Sequence, residues 1–115
     1  MNRYRLTKAG INVSEGLHRF GGNQEIYEKF LMKFPENESY KQMLDAIEKQ
    51  DVEAAFQASH ALKGVAGNLS LEKLYQAILP LVEEFRAGRM EQTGALLPPV
   101  KEAYETVMAV LTANG

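Results

Sequence analysis

Cysteine is absent from the 115 residues. That excludes a disulfide framework and any thiolate metal site, and it fits a reducing cytoplasm, where we expect the protein. Histidine is scarce, with His18 and His60 alone. A metal centre would need carboxylates for its other ligands, and no HExxH pattern is present. No serine stands in a strained elbow motif, so a nucleophile triad has no support. No long basic run occurs, and the formal net charge is -2. Nothing therefore points to nucleic acid or an acidic membrane surface as partner. The N-terminus lacks the apolar core of a signal peptide, and the apolar run from Ala77 to Val82 is too short to span a bilayer. Internal repeats, low-complexity segments and useful lengths of strand-like alternation are also missing.

What remains is an ordinary globular composition, 45% hydrophobic and 24% charged, in a length that suits one domain with a real core. The pattern is helical throughout. Residues 1–9 read as a polar, basic lead-in with room for a turn of helix. Asn12 caps a short helix, with Glu15 placed for a capping-box pair, and Val13, Leu17 and Phe20 follow before Gly21 and Gly22 stop it. Asn23 starts a second helix with Ile26, Tyr27, Phe30, Leu31 and Phe34 as its stripe, which Pro35 breaks. A third runs from about Ser39 to Gln50.

Asp51 caps the central helix, which ends or bends over Asn68 to Ser70. Ser70 is placed to cap the next helix. Leu71, Leu74, Ile78, Leu81 and Phe85 form that helix's stripe, and Pro80 inside it predicts a kink. The last segment starts near Arg89, and Pro98 with Pro99 predicts a short helix to Leu97 followed by a longer one. The expected fold is all-α, an antiparallel four-helix bundle (up-down-up-down) with additional short N-terminal helices. Its domain spans 10–112, and 113–115 should fray.

On a helical wheel, Ala54, Ala55, Ala58, Ala61, Leu62, Val65, Ala66 and Leu69 gather on one broad face. His60 falls opposite, where a core histidine would not be. Lys63, Gly64 and Gly67 share its side. Each glycine inside a helix costs about 1 kcal/mol relative to alanine, so two beside one imidazole imply close approach by something bulky. A neutral imidazole is a good nucleophile near pH 7. Attack on an activated phosphoryl group would give a phosphoramidate. Lys63 could pair with the phosphoryl oxygens, and Gly64 and Gly67 would admit the partner. The plainer readings are a solvated lysine and glycines that serve helix packing. His18 reads as a surface residue.

The run from His60 through Ala61, Leu62, Lys63, Gly64, Val65, Ala66, Gly67 and Asn68 to Leu69 resembles the signature of the histidine-containing phosphotransfer (HPt) domain family. The resemblance extends over roughly Gly10 to Leu111. It implies a phosphorelay protein without kinase activity of its own. His60 would accept a phosphoryl group from a receiver-domain aspartate and pass it to another, Lys63 would stabilise that group, and Gly64 and Gly67 would give access. No cofactor is implied, and the magnesium is expected on the partner receiver. Receiver domains of response regulators or hybrid kinases are the implied partners, docking near Leu17, Phe20, Phe56 and Gln57. Two departures stand out: Ser70, where the family usually has glycine, and Pro80. A monomer is expected, and the initial Met leans toward a free-standing protein. The competing readings are a helical-bundle adaptor that binds a signalling partner without phosphorylation, and an enzyme using His60 as general base, which would need a pocket around it.

Overall fold

A computed structural model describes residues 2–113, and among these every regular element is helical. Three short helices come first, α1 (Arg3–Lys8), α2 (Val13–Arg19) and α3 (Gln24–Lys33). A 3₁₀ turn over Phe34–Glu36, built on Pro35, separates them from α4 (Ser39–Glu48), α5 (Val52–Asn68), α6 (Glu72–Arg86) and α7 (Thr93–Thr112). Of the frayed end expected over 113–115, Asn114 and Gly115 lie outside the described residues, as does Met1 of the lead-in.

The helix starts follow from side-chain oxygens that satisfy orphan N–H groups. Asn2, Asn12, Asn23 and Asp51 accept from Arg5, Glu15, Ile26 and Ala54 at 3.0–3.1 Å. The ends share one device. Gly10, Gly21, Gln50, Ser70 and Gly88 take a left-handed backbone, with φ between 55° and 87°. The next N–H then returns to the last turn, as Leu71 does to the Ala66 carbonyl at 2.8 Å. These tight reversals lay consecutive helices side by side, so α4 packs on α5, α5 on α6 and α6 on α7. Tyr40 of α4 stacks on Tyr104 of α7 at 3.6 Å and closes the bundle. Met43, Leu62, Leu74, Ile78, Val100 and Val107 fill its centre. The lead-in holds α1, whose Leu6 is buried, as is Ala9 just beyond it.

Several local expectations are corrected. Helix α7 runs unbroken through Pro98 and Pro99. Both rings are exposed, and the carbonyls they deprive of a donor, Gly94 and Ala95, belong to exposed residues that water can reach. The same helix begins at Thr93 rather than near Arg89, because the buried Glu84 carboxylate holds the connection. It accepts from the Gln92 N–H at 2.9 Å and from Arg89 Nε at 3.5 Å. Helix α6, in which Pro80 was expected to produce a kink but not an end, is continuous through that exposed residue. Ile26 and Phe30 face outward while Tyr27 and Leu31 are buried. Ala61 is exposed, and Ser59 takes the buried position beside His60. Ser70 does not cap α6, whose N-cap is Leu71 without a side-chain bond.

Candidate functional site

Helix α5 carries His60, Lys63, Gly64 and Gly67. It contacts both α4 and α6, and its buried face is made small by Ala55, Ala58 and Ala66, so the helix lies deep with one side left free. His60 is exposed on that side. In a helix each side chain leans toward the N-terminus and covers the turn before its own. The imidazole therefore leans onto Phe56, with ring centroids 5.6 Å apart and planes at 41°. The residue whose side chain would cover His60 is Gly64. A Cβ built there meets nothing within 4 Å, so the approach over the imidazole is open. Lys63 leans the same way and is half-buried. Among the described residues, neither the His60 imidazole nor the Lys63 ammonium has a side-chain hydrogen bond or ion pair.

Gly67 answers to a different neighbour. A Cβ there would stand 3.2 Å from the Tyr75 ring of α6, so this glycine first serves packing of α5 against α6. Gly64 and Gly67, read together from the sequence as access positions, thus divide: open space at one, a close ring at the other.

The second wall of the site comes from the N-terminal segment. Asn12 N–H donates to the Ser70 carbonyl at 2.8 Å, and Lys73 N–H donates to the Gly10 carbonyl at 3.0 Å. Asn12 Nδ2 donates to Glu72 at 2.9 Å, and Ser70 Oγ donates to Glu15 at 2.8 Å. Glu15 was expected to reach back to the Asn12 N–H; instead its carboxylate serves Ser70 and Arg19, the latter at 3.4 Å. Ser70, a departure at sequence level, thereby ties the end of α5 to α2 in exchange for a strained backbone at φ 57°. Tyr27 completes the seam, with its hydroxyl donating to the Leu69 carbonyl at 2.8 Å and its ring against Gly16. Burial, with the Glu15 charge second, pushes that hydroxyl up to about 12.

Two grooves flank the exposed side of α5. One, of about 530 Å³, runs beside Lys63, Gly64 and Gly67 and is walled by Glu15, Arg19 and Tyr75. The other, of about 650 Å³, is more apolar and lies between Val65 and Leu69 on one side and Phe20, Phe30 and Phe34 on the other. His60 lines neither, so the imidazole stands on a ridge between shallow clefts rather than in a pocket that would hold a small substrate. Of the expected docking residues, Leu17, Phe20 and Phe56 are half-buried and Gln57 is exposed.

Contrary to the expectation that the sequence holds no Glu-x-x-His pattern, Glu15 and His18 have that spacing of helical metal centres. No group of three or more His, Cys, Asp or Glu able to hold an ion occurs among the described residues. Arg86 is a neighbour that sequence reasoning missed. Its guanidinium lies over the Phe56 ring, 5.0 Å from the centroid. It is 26 positions from His60, and only the docking of α6 on α5 brings the two near one aromatic ring. Arg19 was missed for the same reason, reaching α5 from another helix.

A family model for the Hpt domain matches residues 25–110, from the start of α3 almost to the end of α7, with His60, Lys63, Gly64 and Gly67 inside the match. No curated protein and no solved structure gives a match. Hpt domains are helical phosphocarrier modules that interact with receiver domains in phosphorelays and are not kinases. The match spans well over half of the chain, which belongs to the Hpt domain family and takes from it a histidine phosphotransfer role.

Proposed function

We propose that His60 accepts a phosphoryl group from the aspartyl phosphate of a receiver domain and passes it to the aspartate of a second receiver. The lone pair of the unprotonated ring nitrogen attacks phosphorus in line. The P–N bond forms as the P–O bond to the carboxyl oxygen breaks, and the aspartate leaves as a carboxylate. The proton on the other ring nitrogen stays there, leaving a phosphoimidazole. Lys63, one turn from His60 and without an acidic partner among the described residues, offers its ammonium to the phosphoryl oxygens. Reversal onto a second aspartate completes the relay.

The observation that carries this reading is the combination of a free, outward imidazole with open space over Gly64. A receiver's active site must close over the phosphorus, and a side chain at 64 would lie in its path. The magnesium of such a transfer would come with the receiver's own acidic cluster. The apolar groove beside Val65 and the outward Phe30 extend the docking face. The phosphoryl group is accepted and released at the same exposed histidine, so a single copy of the chain suffices.

The test is transfer from a panel of phosphorylated receiver domains to the wild type and to His60→Gln. Acid-labile, alkali-stable label on the wild type alone is the expected result. Label on both would move the acceptor to another residue. Intact receiver binding without label on either would make the protein an adaptor.

A further inference from the structure

Arg86 is the last residue of α6, and its guanidinium covers a ring of α5. Glu83, one turn earlier, holds Arg86 Nε at 3.1 Å and so directs the planar group across the helix interface. The Phe56 ring beneath that guanidinium also meets the His60 imidazole, with centroids 5.6 Å apart. A continuous line of contacts therefore runs from Glu83 through Arg86 and Phe56 to His60. The rest of the exposed imidazole's surroundings offers no such restraint, because Gly64 leaves its C-terminal side empty and, among the described residues, no hydrogen bond holds either ring nitrogen.

An exposed side chain on a helix divides its time between χ1 wells near 180° and −60°. Only one of these leans the ring fully over residue 56. A fixed aromatic surface there favours one well, and a mobile one does not. Phe56 is itself half-buried at the edge of the core, with the cation over its ring. Arginine suits this better than lysine, since its flat guanidinium stacks on a ring face while an ammonium acts as a point charge.

We infer that Arg86 is a positioning residue: by stacking on Phe56 it steadies the surface against which the His60 imidazole rests, and so holds the nucleophilic nitrogen toward the incoming phosphorus. The inference rests on the phosphoacceptor role proposed for His60. It assigns a function to a residue on a different helix, outside the histidine's own sequence neighbourhood.

The experiment uses the full chain as wild type, Arg86→Lys, Arg86→Met, Phe56→Leu and the double variant Phe56→Leu with Arg86→Met. The first readout is the NMR order parameter of the His60 ring in the unphosphorylated protein. The second is the rate of transfer from a phosphorylated receiver, separated into the rate at saturation and the concentration giving half of it. Both Arg86 variants should lower ring order and slow transfer at saturation about two- to five-fold, the range of an exposed cation–π contact, with half-saturation unchanged. The double variant should be no slower than Phe56→Leu alone. Wild-type behaviour of Arg86→Lys would overturn the inference in favour of a bare charge effect, and a change confined to half-saturation would overturn it in favour of a docking contact. Ring order unchanged in Arg86→Met, with wild-type transfer intact, would overturn the positioning role alone. Absence of transfer in the wild type would overturn the phosphoacceptor reading instead, and ring order would still decide whether Arg86 restrains the imidazole.

Discussion

Leu62, Ile78 and Val107 lie fully buried at the centre of the bundle from α4 to α7, whereas α2 and α3 add Val13, Tyr27 and Leu31 to the edge of that core and are tied to it by a seam of hydrogen bonds. The bundle is held by apolar area, which is non-directional and tolerant of small shifts. The seam depends on geometry at single atoms: Ser70 Oγ to Glu15, Asn12 to the Ser70 carbonyl, Tyr27 to the Leu69 carbonyl, and a Gly16 without Cβ. The difference has a functional side. The bundle gives α5 a rigid bed, while the seam sets one wall of the groove beside Lys63 and Gly64. The two regions should therefore fail differently.

The largest loss belongs to the bundle. Leu62→Ala removes a fully buried side chain from the helix that carries His60 and should cost about 2–5 kcal/mol in denaturant melts, with all helices melting together. A loss below about 1 kcal/mol would mean the core collapses readily around the site. Gly16→Ala comes next. Its Cβ would stand 2.2 Å from the Tyr27 ring, so α2 must shift, for about 1–3 kcal/mol. Hydrogen exchange should show the loss concentrated in α1 to α3, and uniform loss over the bundle would erase the distinction drawn here.

Alkali distinguishes the regions through their tyrosines. Burial pushes the hydroxyls of Tyr27 in the seam and Tyr40 in the bundle up to about 12, with Glu15 adding to the first and Glu105 then Tyr104 to the second. The unfolded chain releases these protons near the ordinary value of 10.0, so the folded state holds them longer. Their contribution is complete below that pH and is lost as pH rises through the folded value. Tyr27→Phe should remove part of this alkaline decline, and an unchanged slope would contradict the burial of that hydroxyl. The smallest effect concerns the left-handed helix ends. Gln50 is exposed and makes no side-chain bond among the described residues, so Gln50→Gly should stabilise by about 0.5–1 kcal/mol. Ser70→Gly relieves the same strain but loses the bond to Glu15, so its gain should be smaller. Equal gains at the two positions would show that the Ser70 hydroxyl contributes nothing.

Much of this molecule was readable from local rules. Helix starts at Asn12, Asn23 and Asp51 follow from side chains that bond N–H groups three residues on, and each was found. The stripe from Leu71 to Phe85 is buried in full. Reading failed where a residue's neighbour lies far along the chain. Pro98 and Pro99 look like a break until their exposure leaves water to serve the freed carbonyls. Ser70 looks like a cap until Glu15 arrives from α2. Phe30 fits an apolar stripe, yet the packing of α3 turns it outward beside the groove.

By itself, the sequence determined the all-helical class, the outward side of α5, and the company of His60, Lys63 and Gly64, because helical periodicity and side-chain direction are set within a turn or two of the chain. Only the tertiary structure decided that Gly67 seats Tyr75 while Gly64 stays open, that Glu84 pins the start of α7, and that Arg86 reaches the ring against His60. Each of those depends on the distance between two helices, which is fixed by the packing of every side chain between them and is written at no single position.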